Sequence, residues 1–127
     1  MICPQCQSKL TMVREIWDME WDCLSGHYYK CPQCQIEYTT SIRSERLPDG
    51  HVKCEWEEIT YWTIENNRFR IHCYLYPSSS CHIYKKDKDY DPKNYGPIWE
   101  VLKFPFIPQH ITAQNLSERV NLWLLFS

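Results

Sequence analysis

The tetrapeptide Cys-Pro-Gln-Cys occurs twice in the first third of the chain, at Cys3 to Cys6 and at Cys31 to Cys34. Two cysteines separated by two residues wrap a tight turn around one ion. Two such turns brought together supply the four sulfurs that structural zinc prefers in a tetrahedral shell. Cys3, Cys6, Cys31 and Cys34 are therefore predicted to hold one Zn2+. Four thiolates leave no coordination position for water, so the ion is expected to stabilise the module rather than to activate a nucleophile.

The chain has eight cysteines, which in a secreted protein would suggest a disulfide framework. The paired Cys-x-x-Cys spacing, and the passage from Met1 straight into a knuckle without a charged and apolar leader, favour a metal in a reducing compartment instead. No apolar run approaches the roughly 20 residues of a membrane span. The expectation is a soluble protein of the cytoplasm, or of a phage particle or infected cell, with no membrane partner. Net charge is −2 with a pI near 6.2, so the broad positive field behind non-specific nucleic-acid affinity is missing. Residues 1–43 carry Lys9, Arg14, Lys30 and Arg43 against Glu15, Asp18, Glu20, Asp22 and Glu37, and a four-thiolate site adds about two further negative charges.

Leu10 to Trp17 is rich in strand-forming residues, and His27 to Cys31 leads into the second knuckle. Ile36, Tyr38, Thr40 and Ile42 alternate with Glu37, Thr39, Ser41 and Arg43, the period-two pattern of a half-buried strand. Over residues 1–46 the chain resembles the zinc-ribbon class, with Cys3, Cys6, Cys31 and Cys34 at the four ligand positions. The resemblance implies a three-stranded, metal-held ribbon and leaves function open, because ribbons serve many purposes. Many ribbons and rubredoxins have glycine after the second cysteine of each knuckle, where this chain has Gln7 and Gln35. That departure weighs against a rubredoxin-like iron electron carrier.

Residues 47–127 read as an antiparallel β-meander closed by one C-terminal helix, a second subdomain that can also pack with the first as one unit. Leu47-Pro48-Asp49-Gly50 and Asn66-Asn67 are turn signals. Val52 to Ile64, Arg68 to Tyr76, Cys81 to Lys85 and Ile98 to Phe104 are predicted strands, the last at an edge because Pro105 and Pro108 donate no ladder hydrogen bonds. Pro77 to Ser80 is expected to end the second of these strands, and the charged stretch Lys86 to Pro97 to form an exposed loop. Asn115 with Glu118 three residues on has the form of a capping box, opening a helix to about Phe126. The fold class is thus mainly β, a small α+β architecture.

Other constellations are weaker. Cys23 and His27 are four apart, a spacing that more often gives a packed thiol and a surface imidazole than a ligand pair. His72-Cys73 and Cys81-His82, with Cys54 nearby, suggest a second metal site, but adjacent strand residues point to opposite faces. Arg68, Arg70, His72 and Tyr74 share one strand face which, with Lys85 and Lys86, suits a nucleic acid or partner surface. Pairing with Glu55, Glu57 and Glu58 would neutralise that face. Leu122, Trp123, Leu125 and Phe126 make the last helical turn apolar nearly all round, suited to a partner helix surface or to self-association in a homo-oligomer. No phosphate loop, nucleophile elbow or metal-hydrolase signature is present. The expected function is a non-enzymatic protein-binding module, a small regulator, inhibitor or assembly accessory in the style of bacterial and phage zinc-ribbon proteins. Nucleic-acid binding is the alternative and a rubredoxin-like electron carrier the second alternative.

Overall fold

The computed structural model describes residues 1–76, 78–93 and 96–126. Seven strands form one antiparallel sheet in chain order: β1 (Thr11–Asp18), β2 (Cys23–Lys30), β3 (Glu37–Arg46), β4 (Val52–Glu65), β5 (Phe69–Tyr74), β6 (Ser80–Asp91) and β7 (Gly96–Phe104). A single helix, α1 (Leu116–Leu125), follows. β3 and β4 pair from Glu37↔Thr63 to Arg46↔Val52, with bulges at Thr39/Thr40 and Glu45/Arg46, so one ladder joins the residues on either side of the junction between 46 and 47.

Alternation assigns the two faces. Tyr38, Trp62, Ile64, Phe69, Ile71, Cys73, Cys81 and Ile83 point to one side, where they form a single core with Cys3, Cys31, Cys34, Ile111, Leu116 and Val120. Opposed residues share a face, so the metal knuckles, the segment after β7 and α1 all lie over that same side. The long β3 and β4 strands carry the apolar pattern from the knuckles into the second half, which is why one core serves both. β7 is an edge strand, as Pro105 and Pro108 predict, and β1 forms the other edge.

Two turns form as the sequence implies. Gly50 takes φ 93°, and its amide donates to the Leu47 carbonyl at 2.9 Å. Asn66 Oδ1 accepts from the Arg68 and Phe69 amides, both at 2.8 Å, and Asn66 Nδ2 donates to Ser117 Oγ at 2.8 Å, tying the β4–β5 hairpin to the helix.

Three expectations are corrected. The stretch after Lys85 is not a loop: β6 continues to Asp91 and pairs back to Gly96. Charged residues suit a ribbon whose sides are solvated, and Lys86 stacks on Tyr90 at 4.7 Å from the ring centroid; Asn94, part of the loop expectation, lies outside the described residues, as does Pro77. Asn115 does occupy the N-cap of α1, but its side chain makes no cap bond. It turns back instead, accepting from the Thr112 amide at 2.8 Å and donating to the His110 carbonyl at 2.9 Å. Finally, Cys23 is exposed whereas His27 is half-buried, the reverse of the expected packed thiol and surface imidazole. His27 Nδ1 lies 2.7 Å from Glu57 Oε1, and Glu57 also accepts from the Thr40 hydroxyl and, at 3.5 Å, from Tyr29.

Burial opposes ionisation of Glu57, but the bonds from Thr40, His27 and Tyr29 outweigh it and hold its carboxyl below the usual range. The folded state therefore binds this proton less tightly than the unfolded chain. The resulting stabilisation is present above the unfolded value of about 4.3 and is lost as pH falls through the lower folded value. Glu57→Gln is expected to lower stability at neutral pH and to flatten the loss on acidification, read by urea denaturation at neutral pH and at about pH 3. An unchanged pH slope would show that the network contributes nothing to acid sensitivity. Some slope should remain, because Lys86 and Arg70 hold Glu65 below the usual range against its burial.

Candidate metal centre and the open sheet face

Each knuckle is a short turn closed by its own backbone. The Gln7 amide donates to the Cys3 carbonyl at 2.9 Å, the Gln35 amide to the Cys31 carbonyl at 3.0 Å, and the Cys34 amide to Cys31 Sγ at 3.3 Å. Gln7 and Gln35 both take φ 65°, the left-handed conformation in which glycine is free of strain. Both glutamines recover part of that cost in the same way. Gln35 Nε2 donates to the Pro32 carbonyl at 2.9 Å and Gln7 Nε2 to the Pro4 carbonyl at 3.4 Å. The knuckle geometry thus survives without glycine.

The turns bring the four sulfurs of Cys3, Cys6, Cys31 and Cys34 within 4.8 Å of one another, with Cys6 Sγ and Cys31 Sγ 3.4 Å apart. A tetrahedral shell with metal–sulfur bonds of about 2.3 Å places its sulfurs about 3.8 Å apart, so the cluster has the size such an ion needs. The chemistry of the donor set also fits: four soft sulfurs suit zinc or iron and leave no ligand position for water. The thiols are not equivalent. Hydrogen bonds from the Ser8 side chain and amide lower Cys6 to about 6, whereas burial pushes Cys31 and Cys34 up. The Tyr38 oxygen lies 3.1 Å from Cys3 Sγ, and burial pushes the phenol up, so its hydroxyl keeps the proton it would donate to a metal-bound thiolate. Chain order gave no sign of this bond, which depends on β3 passing beneath the first knuckle.

The knuckles also anchor the far end of the chain. Gln5 Oε1 accepts from the Ile111 amide at 2.7 Å, and the Ala113 amide donates to the Cys34 carbonyl at 3.2 Å. Both turns therefore hold the segment that leads into α1. A hollow of about 260 Å³ between the first knuckle and this segment is lined by Pro4, Tyr38, Trp62, Leu75 and Ile107 among others.

The second metal constellation is not assembled. β5 and β6 pair with His72 opposite His82 and Cys73 opposite Cys81, so the imidazoles share the open face and the thiols the core. Cys54 is exposed on β4, with its sulfur 3.6 Å from Glu45. Among the described residues, the only group of three or more His, Cys, Asp or Glu ligand atoms that converges is the four-cysteine cluster.

The face opposite the core carries a row of rings. Tyr61 and His72 stack with centroids 4.9 Å apart, and His72–Tyr74, Tyr74–His82 and His82–Tyr84 continue the row at 4.7, 5.8 and 6.5 Å. Register places Arg14, Lys30, Arg70, Lys86 and Lys103 around it, against Glu37, Glu65 and Glu100. Arg43 and Glu58 pair with each other at 2.8 Å. Arg70 and Lys86 both meet Glu65, at 3.0 and 2.7 Å. The expected neutralisation by Glu55, Glu57 and Glu58 does not occur, because β5 covers only Tyr61 to Glu65 of β4 and those acids lie opposite β3. Lys85 opposes Phe69 and so belongs to the other face, and the Arg68 guanidinium lies 5.4 Å from the Phe69 ring centroid. Two shallow hollows of about 220 and 180 Å³ flank His72, and both are lined by Arg70 and His72. Burial, reinforced by Arg70 and His82, lowers the His72 pKa and keeps the ring neutral at pH 7. Its Nδ1 lies 3.3 Å from the Thr63 hydroxyl, while its buried Nε2 has no hydrogen-bond partner among the described residues.

On α1, Trp123 packs edge-on against Phe104 at 5.6 Å, whereas Leu122, Leu125 and Phe126 are exposed. Sequence reasoning missed a second apolar surface, at the tip of the β1–β2 hairpin. Trp17, Met19 and Trp21 are 51%, 88% and 74% exposed there, interleaved with Asp18, Glu20 and Asp22. The alternation of large apolar and acidic residues across a turn was the available signal. No helix of the described residues is long and apolar enough to cross a membrane. The chain matches no protein-family model, no curated protein and no solved structure.

Proposed function

We propose that the chain is a non-enzymatic, zinc-stabilised protein-binding module, a small cytoplasmic regulator, inhibitor or assembly accessory of a bacterium or phage. The observation that carries this reading is the β1–β2 hairpin. β1 is an edge strand with most of its residues exposed, and its end and the turn after it hold two tryptophans and a methionine out in water. Trp and Met are over-represented in the buried centres of protein interfaces, and an edge strand offers main-chain groups for pairing with a partner's strand. Sealing the ion with four sulfurs suits a scaffold role and gives the metal no reactive position.

The test replaces Trp17, Met19 and Trp21 together by serine. This variant is expected to keep the metal content, melting temperature and molar mass of the parent, since these side chains contribute little to the core. The parent is expected to elute from its native host as a stoichiometric complex with another protein, and the variant to elute alone. A variant that keeps the partner, or a parent found only free or only with itself, would overturn the reading.

A further inference from the structure

The hairpin does not use the opposite asset of this fold, the row of rings on the open face of the sheet. We propose that this face binds a short segment of single-stranded nucleic acid, a base stacked on Tyr74 at the exposed end of the Tyr61–His72–Tyr74 row and its phosphates beside the flanking cations. The rings are in contact without a break from β4 to β6. Every nucleobase presents a π-face, so the exposed ring at the end of this stack accepts a splayed base without regard to sequence. Tyr74 is 40% exposed, so its ring offers surface to a ligand.

The electrostatics of the face differ from those of the chain. Overall charge is −2, yet around the rings the strands present Arg14, Lys30, Arg43, Arg70, Lys86 and Lys103 against Glu37, Glu58, Glu65 and Glu100. One carboxylate, Glu65, meets two of these cations, which leaves a surplus of positive charge where a phosphate backbone would lie. Hydrogen-bonding groups complete the site. His72 Nε2, buried without a partner among the described residues, sits between two hollows sized for small planar groups. A buried polar atom of this kind is normally satisfied, and rotation of the His72 ring on binding would turn it toward a base edge. A duplex, whose bases are already stacked and paired, has no free face to offer the rings.

The experiment titrates the intact metal-loaded protein into fluorescein-labelled oligo-dT and oligo-U and follows anisotropy at low and moderate salt. Binding is expected for the single strands and not for a duplex of equal length, weakening with salt at a logarithmic slope of about −0.7 per phosphate neutralised. Tyr74→Ala is expected to weaken binding about tenfold and Tyr74→Phe to preserve it, because the ring and not the hydroxyl does the stacking. Tyr74 is exposed, so both variants should melt like the parent. No binding at low salt, equal binding of duplex, equal binding of heparin, preference for a neutral glycan, or indifference to Tyr74→Ala would each overturn the proposal. The hairpin variant should bind the oligonucleotides normally, which separates failure here from failure of the protein-binding reading.

Discussion

Replacing Cys31 by serine is expected to unfold the entire sheet and helix, not the first third alone. Cys31 is fully buried and belongs with Cys3 and Cys34 to the same core as Ile71, Ile83, Leu116 and Val120. Structural zinc in small modules binds with an apparent free energy of about 10–16 kcal/mol at neutral pH, comparable with the whole stability of an ordinary domain at about 5–15 kcal/mol. A chain of this size that draws on such a term has little stability left without it. The knuckles also hold the segment before α1 through Gln5 and the Cys34 carbonyl, so their collapse should release the helix from the sheet. The expected result is loss of the cooperative thermal transition by far-UV circular dichroism, together with loss of amide-exchange protection at Ile71 and Ile83. Chelation of the parent should reproduce it. A variant whose residues 47–126 still melt cooperatively near the parent's temperature would show that the second half carries its own stability and that the shared core is incidental.

Gly26→Ala is expected to destabilise the protein by about 3 kcal/mol, at the upper end for overpacking by one methyl group. A Cβ at Gly26 would lie 2.0 Å from the Thr40 carbonyl oxygen, 2.9 Å from its carbon and 3.3 Å from the Ser41 Cα. All three are backbone atoms, so no side chain can rotate away and β2 must lift off β3. That movement would also break the bond from the His27 amide to Thr40 Oγ1, 2.9 Å in the native fold, and disturb the Glu57 network. Gly26 does not need a left-handed backbone; close approach of two strands is the reason for glycine here. Urea denaturation of the metal-loaded protein reads the effect. Ser25→Ala, which loses only the hydroxyl bond to the Ile16 carbonyl at 3.1 Å, is the neighbouring control and should cost about 1 kcal/mol or less. A Gly26→Ala protein with the parent's midpoint would mean that β2 and β3 separate easily and that the ribbon is softer than its packing implies.

Legibility varied with how local the determining physics is. The four convergent cysteines were readable because a cysteine pair two residues apart defines its own turn, and two such pairs are the donor set of a tetrahedral sulfur site. The β5 alternation was readable because Phe69, Ile71 and Cys73 follow one strand period, and all three are buried. The extent of β6 was not, since Lys86 to Asp91 has the composition of a loop, yet it runs on as strand with β7 partners at both of its ends. The cap at Asn115 misled for a related reason. The side chain had two sets of local partners, and the loop from His110 to Thr112, positioned by the knuckles, took it. The electrostatic reading of the Arg70 face failed on register: Glu55, Glu57 and Glu58 precede Arg70 closely in sequence but lie along β4 beyond the reach of β5.

By itself the sequence determined which four thiols converge on a site that could hold a metal, that the fold is mainly β with one C-terminal helix, and where the tightest turns fall. Each of these follows from contacts within a few residues, where chain connectivity does the positioning. Tertiary structure alone decided that both halves share one sheet and one core, that Tyr38 reaches Cys3, and that Tyr61, His72, Tyr74, His82 and Tyr84 form one row of rings. Those outcomes depend on which residues stand opposite one another across strands. Register is fixed by the summed burial of a whole face and by bulges such as that between Thr39 and Thr40, which no short stretch of sequence encodes.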